Sequence, residues 1–317
     1  MAFCFKRKES VSKAIRRLGC ERIEEALACP KDCRQSQSIH CVRKELKKTR
    51  AILRCVRTEI RKSAYRRQIK LLRSAAEQLS AMRDAYATAA SLKNLRRHFR
   101  RQLAPDALRH LRTAMQKRLH QETKLFAKHK TARTVERILR RVAKCKEGLT
   151  VDIKGWKAIC PGVKASYAES RRAYHTILKD SSPENIHEWR KRAKDLWYQM
   201  RMLRPIWPEQ MDAAANELKD LGECLGDYHD LATLSRTVLK KCNINDHSVE
   251  LETLGGLIEQ RQRELQESAL AIGERFYTEK PFPFCNRLAG YWHAWRDERK
   301  RTSRRVPIGS PLLSAAR

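Results

Sequence analysis

Apolar residues recur three and four positions apart along most of the chain, and no sustained apolar/polar alternation bounded by turn residues occurs. The spacing predicts helices over 10–28, 37–61, 64–95, 105–147, 162–180, 183–204, 208–241 and 247–277, with another near 283–300. Residues that stop or cap helices set the breaks: Pro30, Pro105, the stretch from Gly148 to Pro161, Ser181-Ser182-Pro183, Pro205 and Pro208, and Asn243 to Asp246. The fold class is therefore all-α, and the weakest helical signal, over 148–161, predicts a linker. With only 11 glycines and 10 prolines in 317 residues, little else interrupts the pattern.

An internal repeat organises these helices. IHCVRKELKKTRAILR, from Ile39, aligns with IHEWRKRAKDLWYQMR, from Ile186, at an offset of 147. Further on, LSAMRDAYATAASL, from Leu79, aligns with LGDYHDLATLSRTV, from Leu225, at an offset of 146. Two separated matches with nearly the same offset predict a duplicated unit. The expected architecture is two pseudo-symmetric antiparallel four-helix bundles, residues 1–150 and 151–317, the second carrying a basic tail around Arg299, Lys300, Arg301, Arg304 and Arg305.

Composition then narrows the function. Hydrophobic residues make up 41% of the chain, enough for a packed interior, so simple disorder is excluded. Yet 69 Lys and Arg against 36 Asp and Glu leave a formal charge of +33. That surplus repels itself in a compact fold and calls for a polyanion: nucleic acid, an anionic membrane or a phosphate polymer. A small neutral substrate leaves it unexplained. The eleven cysteines include no CxxC pair and read as reduced thiols of a cytoplasmic protein. Cys29, Cys33, His40 and Cys41 are the one cluster with a hint of metal-ligand character, but their spacing fits no common zinc pattern. No signal-peptide-like run opens the chain, and no apolar run of membrane-spanning length occurs in it.

The charge is patterned. From Ile39, one helical stripe is apolar (Ile39, Val42, Leu46, Leu53, Val56), and its neighbour is cationic: His40, Arg43, Lys47, Arg50 and Arg54, flanked by Lys44 and Lys48. In the second half Ile186, Trp189, Ala193, Leu196, Met200 and Leu203 form the core stripe. His187, Arg190, Lys194, Arg201 and Arg204 form the basic one, with Lys191 and Arg192 beside it and Trp197 interrupting it. A single basic stripe ordinarily just solvates a helix face. Here like charges at i,i+3 and i,i+4 repel, and between Arg43 and Arg57 only Glu45 relieves them. Recurrence in the duplicated helix, with a histidine at the same first position, favours a binding face. A lone histidine is usually a satisfied core or capping residue, but His40 and His187 head two equivalent ladders. Arg73 and Lys219, equivalent at the 146 offset, are further groove candidates or ordinary surface charges. No nucleophile, paired carboxylate or glycine-rich phosphate loop accompanies the ladders, so an enzyme is not expected.

At these residues the chain resembles the CHAD domain family, named for its histidines and helical fold. The shared features are H-x-x-R-K-x-x-K in both halves (His40, Arg43, Lys44, Lys47; His187, Arg190, Lys191, Lys194), the dipeptides Arg83-Asp84 and His229-Asp230, and the ending RFYTEKPFPFCNRLAGYWHAWR from Arg275. Together they span about residues 10 to 296. The resemblance implies two pseudo-symmetric four-helix bundles and a central basic groove for inorganic polyphosphate, with no cofactor and no catalysis. It also suggests association with polyphosphate granules. The groove would comprise His40, Arg43, Lys44, Lys47, Lys48, Arg50, Arg54, His187, Arg190, Lys191, Lys194 and Arg201. The E-x-E-x-K motif of the triphosphate-tunnel domains often fused to this family is absent. Asp195 and Trp197 replace basic residues common in the family's second ladder, and Ser80-Ala81-Met82 stands where a glycine is expected. Asp84 and Asp230 would repel an anion and are read as orienting neighbouring basic side chains or satisfying helix-end amides. The alternative reading is a helical nucleic-acid-binding protein, which stacking aromatics would favour. Aromatics are only 7% and nearly absent from the ladders.

Overall fold

We describe a computed structural model of the chain over residues 3–29, 36–104, 108–144, 150–241 and 248–302. The described residues form eleven α-helices and no strand. They are α1 (Val11–Ala28), α2 (Ser36–Cys55), α3 (Lys62–Gln78), α4 (Ser80–His98), α5 (Arg109–Lys128), α6 (Thr131–Lys144), α7 (Cys160–Ile177), α8 (Pro183–Leu203), α9 (Pro208–Lys241), α10 (Ser248–Phe276) and α11 (Pro281–Thr302). Local chemistry explains several starts. Ser10 caps α1 by accepting from the Lys13 amide at 3.2 Å. Prolines, which need no amide partner, open α7 and α8.

Three expectations are corrected. The helix predicted over 64–95 is two, α3 and α4, divided at Leu79. The one predicted over 105–147 is also two, α5 and α6, divided at His129 and Lys130. Lys130 takes a left-handed backbone with φ of 50°, a reversal that no glycine or proline announces. The helix drafted to 61 stops at Cys55. Conversely, the expected linker is packed. Its 3₁₀ turn Gly155–Ala158 buries Trp156 and Ala158, Ile159 follows them into the core, and Trp156 lies 5.8 Å from the ring of Trp292. The breaks expected at Pro30, Pro105, Gly148 and Asn243 to Asp246 lie outside the described residues.

Helix α1 packs on α2 and α6, α3 on α6 and α4 on α5. In the second half α8 packs on α7 and α9, α9 on α10, and α11 on α7. The halves meet where α2 lies against α7 and α8 and where α4 lies against α9. One apolar cluster threads both halves, taking in Phe5, Leu46, Ile52, Trp189, Leu196, Met200 and Trp292. A second joins α4, α5, α9 and α10 through Leu92, Leu95, Leu111, Leu234 and Ile258. Every residue of the apolar stripe read on α8 is buried, and on the first stripe only Val42 is partly open. Burying an aliphatic side chain of this size contributes about 1.5–3 kcal/mol, so these stripes fix which face of each helix turns inward.

The cysteines are not all free thiols. Cys29 and Cys41 form a disulfide, because the antiparallel return from α1 to α2 brings their Cα atoms to 6.0 Å. Neither then stands as a free metal ligand beside His40, and Cys33 lies outside the described residues. Arg299, Lys300 and Arg301, expected in a tail, belong to the backbone of α11, while Arg304 and Arg305 lie outside the described residues. Among the described residues no helix is long and apolar enough to cross a membrane.

Candidate functional site

Packing α2 against α8 brings the two basic ladders to one place. Arg190 of α8 is the strongest charge acting on Lys47 of α2, followed by Arg43, Arg83 and Arg50. Burial and then these cations push the Lys47 amine down to about 7. Burial and Arg190 push Lys194 down to about 8, and burial with Arg83 pushes Arg43 down to about 10. Arg50 and Arg190 are lowered by burial as well. None of these five cations makes an ion pair with a carboxylate among the described residues. Arg43 Nη1 instead donates to the Ala76 carbonyl at 2.8 Å, and the Nε atoms of Arg50 and Arg190 are buried without a partner. Such a cluster stores like-charge repulsion that an anion would relieve.

Two glycines of α9 make room for the second ladder. A Cβ at Gly222 would stand 2.6 Å from Lys194 Cε and 2.7 Å from its Nζ, and one at Gly226 would stand 3.3 Å from Arg190 Nε. The bare helix surface lets both side chains lie flat along it. In the first half Arg43, equivalent to Arg190 at the 147 offset, rests on the backbone of Ala76, itself equivalent to Gly222 at the 146 offset.

Arg83 of α4 closes the cluster between the halves. It donates to Asp84 at 3.0 Å and to Asp230 of α9 at 2.5 Å, and these carboxylates raise its pKa despite burial. Asp84 and Asp230 therefore orient a basic side chain, the part read for them from the sequence. Beside them the rings of His187 and His229 lie 4.3 Å apart. Burial and then neighbouring positive charge lower His40, His187 and His229, the last to about 3, which favours the neutral imidazoles.

A CHAD domain family model matches residues 19–239. The chain belongs to the CHAD domain family. Its fold is similar to the crystal structure of the CHAD domain from the plant Ricinus communis, at 14% identity and a TM-score of 0.60, covering 89% of this chain and 96% of that one. It is also similar to PptA from Streptomyces chartreusis, at 11% identity and a TM-score of 0.61, covering 86% of this chain and 100% of that one. At these identities the likeness concerns the fold. No curated protein matches the sequence.

Other basic positions of this CHAD domain are placed differently. Lys48 turns away from the cluster, sits 2.7 Å from Glu45 and lies over the Phe3 ring, while Glu45 also takes Arg22 at 3.1 Å. Arg54 pairs with Asp195 at 3.0 Å and Glu169 at 3.2 Å. Lys191 pairs with Glu188, and Lys44 is exposed near His40. Trp197 occupies the place equivalent to Arg50, and its ring carries Lys194 Nζ at 4.6 Å and Arg201 Cζ at 5.1 Å. Arg73 is exposed, and Lys219 lies 3.5 Å from Glu223. Gly222, Gly226 and the bridging part of Arg83 went unread in the sequence. Arg83 and His229 had their signal in the R-D and H-D dipeptides, whereas the glycines show their use only once α8 lies on α9.

Proposed function

We propose that this CHAD domain binds inorganic polyphosphate, without catalysis, in a central groove between the ladders of α2 and α8. The observation that carries the reading is the group Arg43, Lys47, Arg50, Arg190 and Lys194, held together without carboxylate partners, two of its members with pKa values depressed to about 7 and 8. A flexible chain with one charge per phosphate matches that density, each contact being a charge-assisted hydrogen bond. His40 and His187 stand at the heads of the ladders, and Arg201 and Lys44 at their margins. The two halves, 1–150 and 151–317, are read as pseudo-symmetric units; among the described residues the first holds six α-helices and the second five, against the four expected of each. The paired offsets support the pseudo-symmetry. Association with polyphosphate granules is the setting this reading suggests, whereas the Cys29–Cys41 disulfide removes the reduced-thiol argument for the cytoplasm.

Nucleic acid is the weaker alternative. Base stacking needs an open aromatic face, and Trp197, the aromatic on the ladder, already carries Lys194 and Arg201. Side-by-side titration with long-chain polyphosphate, single-stranded DNA, RNA and double-stranded DNA at physiological salt tests the proposal. Polyphosphate should bind far more tightly at matched charge, with a steep salt dependence. Equal affinities would replace the groove by simple electrostatic adhesion.

A further inference from the structure

The ladders divide into cations without an ion pair and cations tied to carboxylates, and on α2 the boundary is sharp. On α2 the unpaired run includes Arg43, Lys47 and Arg50 and ends there. The next basic residue on that face, Arg54, is tied to Asp195 at 3.0 Å and to Glu169 of α7 at 3.2 Å. Glu169 also takes Arg57 at 2.7 Å and Arg192 of α8 at 2.8 Å. One carboxylate thus engages three arginines, one from α2, one from the turn after it and one from α8, beside the point where the free run stops. On α8 the unpaired run holds Arg190 and Lys194, followed by Asp195 and Trp197. Toward the other side, Lys48 is consumed by Glu45.

We propose that Glu169, with Asp195 as a second partner of Arg54 and Glu188 as a second partner of Arg192, sets the length of anion that the site accepts, by withholding Arg54, Arg57 and Arg192 from the groove. This rests on the polyphosphate reading above and adds a size to it. From Arg43 to Arg50 the helix rises only ~10 Å. Arg43, Lys47, Arg50, Arg190 and Lys194 balance roughly five phosphates at one charge each, with Lys44 and Arg201 at the margins. Phosphates beyond that meet arginines whose positive charge is already directed at a carboxylate, so they add little. Glu169 is a specificity-determining residue that need not touch the ligand itself.

The test is calorimetric titration with linear polyphosphates of roughly three, five, eight and fourteen phosphates at fixed salt, affinities being corrected for the number of registers a longer chain offers. In the unaltered protein affinity should climb to about five phosphates and then level off. Arg54 keeps Asp195 and Arg192 keeps Glu188 when Glu169 alone is lost, so the deciding variant is Glu169→Gln combined with Glu188→Gln: it releases Arg57 and Arg192, the plateau should move to roughly seven, and the salt slope for long chains should steepen by about two. A tenfold or greater rise between five and fourteen phosphates in the unaltered protein would overturn the proposal. So would an unmoved plateau in the folded double variant. Should that variant not fold, Arg57→Gln and Arg192→Gln decide: each should change affinity less than about twofold at every length, whereas Arg50→Gln should lower it about tenfold. Equal losses in all three would place Arg57 and Arg192 on the ligand and end the proposal. Failure of the underlying reading looks different: no polyphosphate of any length would bind.

Discussion

Arg83 and Asp230 are 147 positions apart in the chain and 2.5 Å apart in space. The same guanidinium reaches Asp84 at 3.0 Å, and Asp84 is the residue equivalent to Asp230 at the repeat offset of 146. One arginine therefore joins the two corresponding aspartates and pins α4 to α9. Hydrogen bonds between charged groups contribute about 1.5–3 kcal/mol each, and Arg83→Ala also leaves two carboxylates without their partner. A loss of about 2–4 kcal/mol in urea unfolding is expected. A change below half of that would mean that the bridge holds little.

The depressed amines make a pH prediction. In the folded protein Lys47 titrates at about 7 and Lys194 at about 8, both below the ordinary 10.5. Between those values the unfolded chain carries more protons than the folded one, so the stability of the unliganded protein should rise with pH across that window. Anion binding favours the charged amines. Polyphosphate binding near pH 8 should take up protons, and affinity should fall as pH rises from 7 to 9. Calorimetry in buffers of different ionisation enthalpy measures the uptake, and an affinity flat across this range would contradict the assignment.

Replacing Arg43, Lys47, Arg190 and Lys194 together by alanine removes four clustered charges. Affinity for polyphosphate should drop by several kcal/mol and the salt slope by about three to four. Neutralising Arg299, Lys300, Arg304 and Arg305 removes as many charges from outside the ladder segments of the sequence and should cost much less. Equal losses, with helicity retained by circular dichroism, would assign binding to diffuse charge.

Gly222→Ala separates stability from binding. Alanine is the better helix former by about 1 kcal/mol. Its methyl, however, would displace the end of the Lys194 side chain, which can swing aside. The variant should melt no lower than the parent yet bind polyphosphate several-fold more weakly; a Lys194→Ala background should abolish the difference.

The disulfide between Cys29 and Cys41 closes a short loop, with a sequence separation of 12. Loop-closure entropy puts the stabilisation at about 3 kcal/mol. Denaturant midpoints with and without reductant should differ accordingly, and non-reducing peptide mapping should recover the linked pair.

Helical class, the buried faces of α2 and α8, and the ladders themselves were all legible in the sequence, because a 3.6-residue period is a local property written in neighbouring residues. The breaks at Leu79 and Lys130 were not, since neither carries a glycine or proline and each is imposed by the packing of the helices that follow. Charge count likewise marked both ladders as basic but could not say which cations stay free. Arg54 and Arg57 are satisfied by a carboxylate 115 and 112 positions away, while Lys48 finds its partner three residues back. An ion pair depends on which distant acid the fold delivers within a few ångströms, and only the tertiary structure delivers Glu169 to three arginines and none to Lys47.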